Sequence, residues 1–78
     1  MKVLDGSKVW DLHETHGMVL ELSLPLLAER DIVPSWLDLI GAARKSGVNI
    51  SRFMVRLRNA ILDSYPPEFA AEILLRLP

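Results

Sequence analysis

Apolar positions recur along this chain at intervals of three to four residues, the spacing of one helix face, and no segment keeps the alternation that a half-buried strand requires. The pattern predicts an all-α fold of four to five short helices. A first helix starts at Ser7 as N-cap, carries Val9, Trp10 and His13 on its apolar face, and stops at Gly17, a residue suited to the left-handed C-terminal position. A second spans roughly Met18 to Arg30 with Leu20, Leu24 and Leu27 inward. Pro25 removes one amide donor there and crowds the preceding turn, so a kink or a restart capped by Ser23 is expected.

Asp31 and Pro34 mark a short connection. Ser35 then caps a third helix with Trp36, Leu37, Ile40 and Ala43 inward, ending at Gly47. Asn49 or Ser51 caps a fourth, whose Ile50, Phe53, Met54, Leu57, Ile61 and Leu62 make the clearest amphipathic segment in the chain. Tyr65-Pro66-Pro67 ends it, because residues before proline avoid the α region, and Pro67 suits the first turn of a last helix presenting Phe69, Ile73, Leu74 and Leu77. No repeat or linker divides the pattern, so residues 1–78 form one compact helical domain around one core. Trp10, Trp36, Phe53 and Phe69 are expected in it, since a core this small leaves only about 3–5 kcal/mol of stability and aromatic burial supplies much of the area.

Composition narrows the chemistry. Half of the 78 residues are hydrophobic, which suffices for a core, and the absence of cysteine removes disulfides, thiolate nucleophiles, cysteine zinc sites and Fe–S clusters. Met1 to Leu4 runs at once into Asp5 and Gly6, unlike a signal peptide, and Met18 to Ala28 is too short and too interrupted to cross a bilayer. A soluble cytoplasmic protein without membrane contact is expected.

His13 and His16 flank Glu14-Thr15, but they stand three apart where the zinc-protease motif needs four, and no third ligand is evident. The pair reads as a packed imidazole and a second one near a helix end, where the dipole favours the charged form. Ser7, Ser23, Ser35, Ser46, Ser51 and Ser64 fall mostly where caps or turns are wanted, and no nucleophile elbow or phosphate-binding glycine loop surrounds them. Glu68 and Glu72 share a helix face that reads as solvated. No catalytic residue, cofactor or metal site is expected, and the chain is not read as an enzyme.

The formal net charge of -1 conceals an asymmetry. Arg44, Lys45, Arg52, Arg56 and Arg58 lie between Leu39 and Leu62 in a stretch with no acidic residue, which is therefore +5 against a remainder of -6. An anionic partner would dock there. Alternatively, the long side chains cover apolar stems and pair with Asp38, Asp63 or acidic helices of the same or another subunit. Ala43, Gly47 and the helix from Asn49 also have a helix-turn-helix outline, although Arg56 stands where that motif needs a buried aliphatic.

The segment Trp10-Asp11-Leu12-His13-Glu14-Thr15-His16-Gly17-Met18-Val19-Leu20-Glu21-Leu22-Ser23 resembles one in alanyl-tRNA synthetases that reads approximately Phe-x-Leu-Tyr-Asp-Thr-Tyr-Gly-Phe-Pro-Leu-Asp-Leu-Thr. Leu12, Thr15, Gly17, Leu20 and Leu22 match outright. Glu14, Glu21 and Ser23 are close replacements, His13 and His16 stand for tyrosines, and Val19 stands for proline. Ala28-Glu29-Arg30 suits the family's next helix. The resemblance covers about the first third of the chain and implies the helical, tRNA-recognising region of that family without its aminoacylation motifs or its cysteine-containing editing zinc site.

The expected protein is therefore a small non-catalytic helical module binding tRNA or another RNA through Arg44, Lys45, Arg52, Arg56 and Arg58. A protein-interaction module or homodimer, and helix-turn-helix DNA binding, are the alternatives.

Overall fold

The computed structural model describes residues 1–78 as a helical domain: five helices hold 72% of the residues, joined by one short sheet. The order is β1 (Lys2–Leu4), α1 (Gly6–His16), α2 (Leu20–Glu29), β2 (Ile32–Pro34), α3 (Trp36–Lys45), α4 (Ile50–Ser64) and α5 (Pro67–Arg76). The all-α, single-domain expectation matches this architecture, with the two-stranded sheet as an unexpected addition. No helix is long and apolar enough to cross a membrane.

The sheet is parallel, pairing Lys2 with Ile32, Val3 with Val33 and Leu4 with Pro34. Asp31, the only non-glycine residue at positive φ (56°), turns the chain out of α2 so that its carbonyl accepts from the Lys2 amide at 2.9 Å. At the other end the Ser35 amide donates to the Leu4 carbonyl at 2.8 Å. The connection read at Asp31–Pro34 is thus a strand that fastens both ends of β1.

Several helix starts differ from expectation for identifiable reasons. Asp5, two residues before Ser7, caps α1: one carboxylate oxygen accepts from the Ser7 amide and hydroxyl, both at 2.9 Å, and this donation lowers the Asp5 pKa. Gly6 becomes the first helical residue because α1 sits directly on α3 there. A β-carbon at Gly6 would collide with the Ser35 carbonyl and the Leu39 amide, and would lie 2.8 Å from Leu39 Cβ. α2 runs unbroken from Leu20 to Glu29 with Pro25 inside it; Ser23 restarts nothing, and its buried hydroxyl has no partner. Ser35 occupies the cap position of α3 without a side-chain cap bond. Gly17 (φ 67°) stops α1 and Pro67 opens α5, as expected, and of the two candidate caps for α4 it is Asn49 that serves.

The core comprises Val9 and Trp10 of α1, Leu20 and Leu24 of α2, Leu39, Ile40 and Ala43 of α3, Phe53, Leu57, Ala60 and Ile61 of α4, Tyr65, and Ala70 and Ile73 of α5. α3 packs chiefly on α1 and α4 chiefly on α2. Leu37 and Leu62, expected inward, point to solvent with 69% and 52% of their surface exposed. In α3 the buried stripe is set by Leu39, Ile40 and Ala43, and Leu37 lies well round the helix from it. Trp36 and Phe69 are half-buried at the core edge.

Candidate functional site

Helix α4 presents the basic side chains, and its N-cap fixes where they start. Asn49 Oδ1 accepts from the Arg52 amide at 3.1 Å, placing Arg52 in the first turn and Arg56 one turn later on the same flank. Facing them is α1, where Trp10 is anchored edge-on against Phe53 (ring centroids 5.6 Å apart, planes at 80°). His13, one turn on from Trp10, lies against the indole at 4.9 Å with the planes tilted by 34°.

Between the two helices runs a groove of about 240 Å³ lined by Trp10, His13, Val48, Asn49, Arg52, Phe53 and Arg56. Two guanidinium groups, an imidazole and a side-chain amide converge on an aromatic floor, and no carboxylate lines it. His13 Nδ1 is buried without a hydrogen-bond partner. Arg52 has no side-chain partner. Arg56 reaches Glu21 on α2 at 3.2 Å, but both side chains are about half exposed (51% and 52%). An ion pair in that setting is worth under about 1 kcal/mol and yields readily to a competing anion.

The five basic residues expected to form one face divide among three places. Arg44 and Arg58 line a second depression of about 400 Å³ on the opposite flank of α4, with Ile50, Ser51, Met54, Val55 and Pro78. Arg58 Nη2 donates to the Pro78 backbone oxygen at a long 3.5 Å. Lys45 lies apart, in a depression it shares with Asp5 and Asp38. The outer surface of α4 itself, from Ser51 to Asn59, exposes Arg52, Val55, Arg56, Arg58 and Asn59 without an acidic residue. Asp38 and Asp63, considered as partners for the arginines, form no ion pair; Glu21 does.

The remaining candidate residues fall in separate places. His13 packs as an aromatic and His16 is exposed in the last turn of α1. No group of three or more metal-ligating side chains comes together. The Ser46 hydroxyl donates to the Ala43 carbonyl at 2.8 Å, the Ser23 and Ser64 hydroxyls are buried without partners, and no serine hydroxyl bonds a histidine. Ala43 is buried as the helix-turn-helix outline requires, yet α3 and α4 touch only sparsely. The contribution of His13 and Asn49 to the groove is masked in the sequence because each also serves a structural role, as packing residue and as cap. The available signal was the pairing of Trp10 with His13, three apart, against Arg52 with Arg56, four apart.

Compared with known protein families, with curated proteins and with solved structures, the chain matches none.

Proposed function

We propose that this chain is a non-catalytic cytoplasmic module that binds RNA over the outer face of α4, with Arg52 and Arg56 as the principal phosphate contacts. The observation that carries the reading is the groove between α1 and α4, where two guanidinium groups and the His13 ring converge without a carboxylate on the lining. Guanidinium groups bind phosphate through paired N–H donors, and the partly exposed His13 ring beside them accepts an unstacked base, which is how loops and single strands of RNA are held. Arg44 and Arg58, on the other flank of α4, extend the track for a strand crossing the helix. Lys45, beside two carboxylates, is left out of the proposed footprint. The resemblance of Trp10 to Ser23 to the tRNA-recognising region of alanyl-tRNA synthetases supports the same class of ligand.

Titration of the protein with bulk tRNA, and in parallel with duplex DNA, at low and moderate salt tests this. Four phosphate contacts give a slope of log K against log salt of about -3, and Arg52→Glu/Arg56→Glu lowers affinity at least tenfold while roughly halving that slope. Lys45→Glu has a much smaller effect. Absence of binding to tRNA at low salt refutes the reading, and equal loss in the Lys45 variant and the double variant refutes the assignment of the groove.

A further inference from the structure

The two edges of the small sheet are not equivalent. In a parallel ladder alternate residues turn their amide and carbonyl toward the partner strand. Here Lys2 and Leu4 face β2, as their bonds to the Asp31 carbonyl and from the Ser35 amide show, so both backbone groups of Val3 face away from it. On the far edge of β2 the outward residues are Ile32 and Pro34. The Ile32 carbonyl accepts the Tyr65 hydroxyl at 2.9 Å, and Pro34 has no amide to donate. Tyr65 thus covers part of that edge, which keeps only the Ile32 amide and the Pro34 carbonyl free. The edge at β1 is open, the Val3 side chain is 72% exposed, and it borders a mainly apolar groove of about 260 Å³ walled by Val33, Pro34, Trp36, Phe69 and Ile73, with Glu72 and Arg76 also on its lining.

An open sheet edge is a template for another strand. We infer that the occupant is a second copy of this chain, with β1 pairing antiparallel to β1 across a two-fold axis through Val3. A single residue with one outward donor and one outward acceptor is complementary to itself in that arrangement: the two valines exchange both N–H to C=O bonds, as an antiparallel hydrogen-bonded pair does. The register then places Lys2 opposite the second copy's Leu4 and Met1 opposite its Asp5, so no like charges meet. Val33, Val3 and the same two residues of the second copy form one continuous row of β-branched side chains on the face that borders the apolar groove. Three-residue strands bury little area, so the association is weak and concentration-dependent, below the roughly 1,000 Å² of a firm interface.

Sedimentation equilibrium of the full chain over about a hundredfold range of concentration tests this, since a weak two-fold pair passes from mostly monomer to mostly dimer across it. Val3→Pro removes the outward amide without removing a bond to β2, and Val3→Lys sets two like charges face to face at the axis. Both substitutions are expected to weaken dimerisation at least tenfold while leaving the helical circular dichroism and melting temperature almost unchanged. Hydrogen exchange at the Val3 amide should slow as wild-type protein is concentrated. A wild-type protein that stays monomeric throughout overturns the proposal. So does a dimer that both variants form as strongly as the wild type, or a Val3 amide whose protection ignores concentration.

Discussion

Two aromatic clusters sit at opposite margins of the core and use their polar atoms differently. On one side Tyr65 packs edge-on to Trp36 and tilted against Phe69, at centroid distances of 6.1 and 5.6 Å, and the Tyr65 hydroxyl is committed to the Ile32 carbonyl at 2.9 Å. That bond ties the end of α4 to β2 and occupies the outward carbonyl of Ile32. On the other side Trp10, Phe53 and His13 form a similar group, but His13 Nδ1 has no partner and two arginines line the same groove. Burying a polar atom unpaired costs about 1–3 kcal/mol, so a domain with little stability to spare gains from pairing it unless something else uses the site. The Ser23 and Ser64 hydroxyls are also buried without partners, so an unpaired atom alone marks no site; what sets the His13 cluster apart is the two arginines that line its groove.

The largest expected effect breaks the seam that holds the two sides in register. Gly6 opens α1, which carries the Trp10 cluster, and rests on the Ser35 carbonyl and Leu39 amide that follow β2. Both colliding atoms are backbone and cannot swing aside. Gly6→Ala is expected to cost about 3 kcal/mol or more, most of the stability such a domain holds, and urea denaturation will read it as loss of the folded baseline. A change under about 1 kcal/mol would mean that α1 and α3 separate easily and that the clusters are not held in register.

The next test sets the two polar atoms against each other. Tyr65→Phe leaves the Ile32 carbonyl without its donor and is expected to cost about 1–2 kcal/mol, whereas His13→Phe removes an unpaired buried nitrogen while keeping a ring on Trp10, and is expected to raise stability by up to about 1 kcal/mol. The same pair differs with pH. Burial pushes the Tyr65 hydroxyl up to about 12 from its ordinary 10, so the folded state keeps a proton that the unfolded chain has released. The stabilisation from Tyr65 is complete below about pH 10 and is lost as pH rises toward about 12. Chemical denaturation at pH 9, 10 and 11 should show that decline in wild type and His13→Phe but a flatter profile in Tyr65→Phe. Parallel profiles in all three would refute the burial assigned to the Tyr65 hydroxyl.

Which of these features the sequence displays follows from their range. Gly17, Asn49 and Pro67 each act within one turn, so the ends they set could be read directly. The amphipathic run from Phe53 through Leu57 to Ile61 is long enough for its period to dominate. The strands could not be read, because three residues hold no period and Pro34 argues against a strand except at an edge, where it in fact lies. Asp5 and Ser7 are both good caps, and only the approach of α3 to Gly6 decides between them. The basic residues could be named but not grouped. The turn from Ser46 to Asn49 sets α4 against α2 rather than α3, and this carries Arg52 and Arg56 away from Lys45.

The smallest expected effect is the sharpest for the unsatisfied cluster. Glu21 is the one carboxylate that reaches an arginine of the groove; it stands on α2, where it occupies Arg56 and, on the proposed RNA-binding reading, would repel an incoming phosphate. The exposed pair adds little to the fold, so Glu21→Gln is expected to change stability by less than about 0.5 kcal/mol. Its effect on binding has the opposite sign to that of every arginine substitution. Freeing Arg56 should strengthen tRNA binding about two- to fivefold at low salt, and the gain should fade as salt screens the rim charge. Fluorescence anisotropy with labelled tRNA at two salt concentrations measures it. Weaker or unchanged binding in Glu21→Gln would show that phosphate does not compete for Arg56, and the groove would then be a structural contact between α2 and α4 like its counterpart at Tyr65.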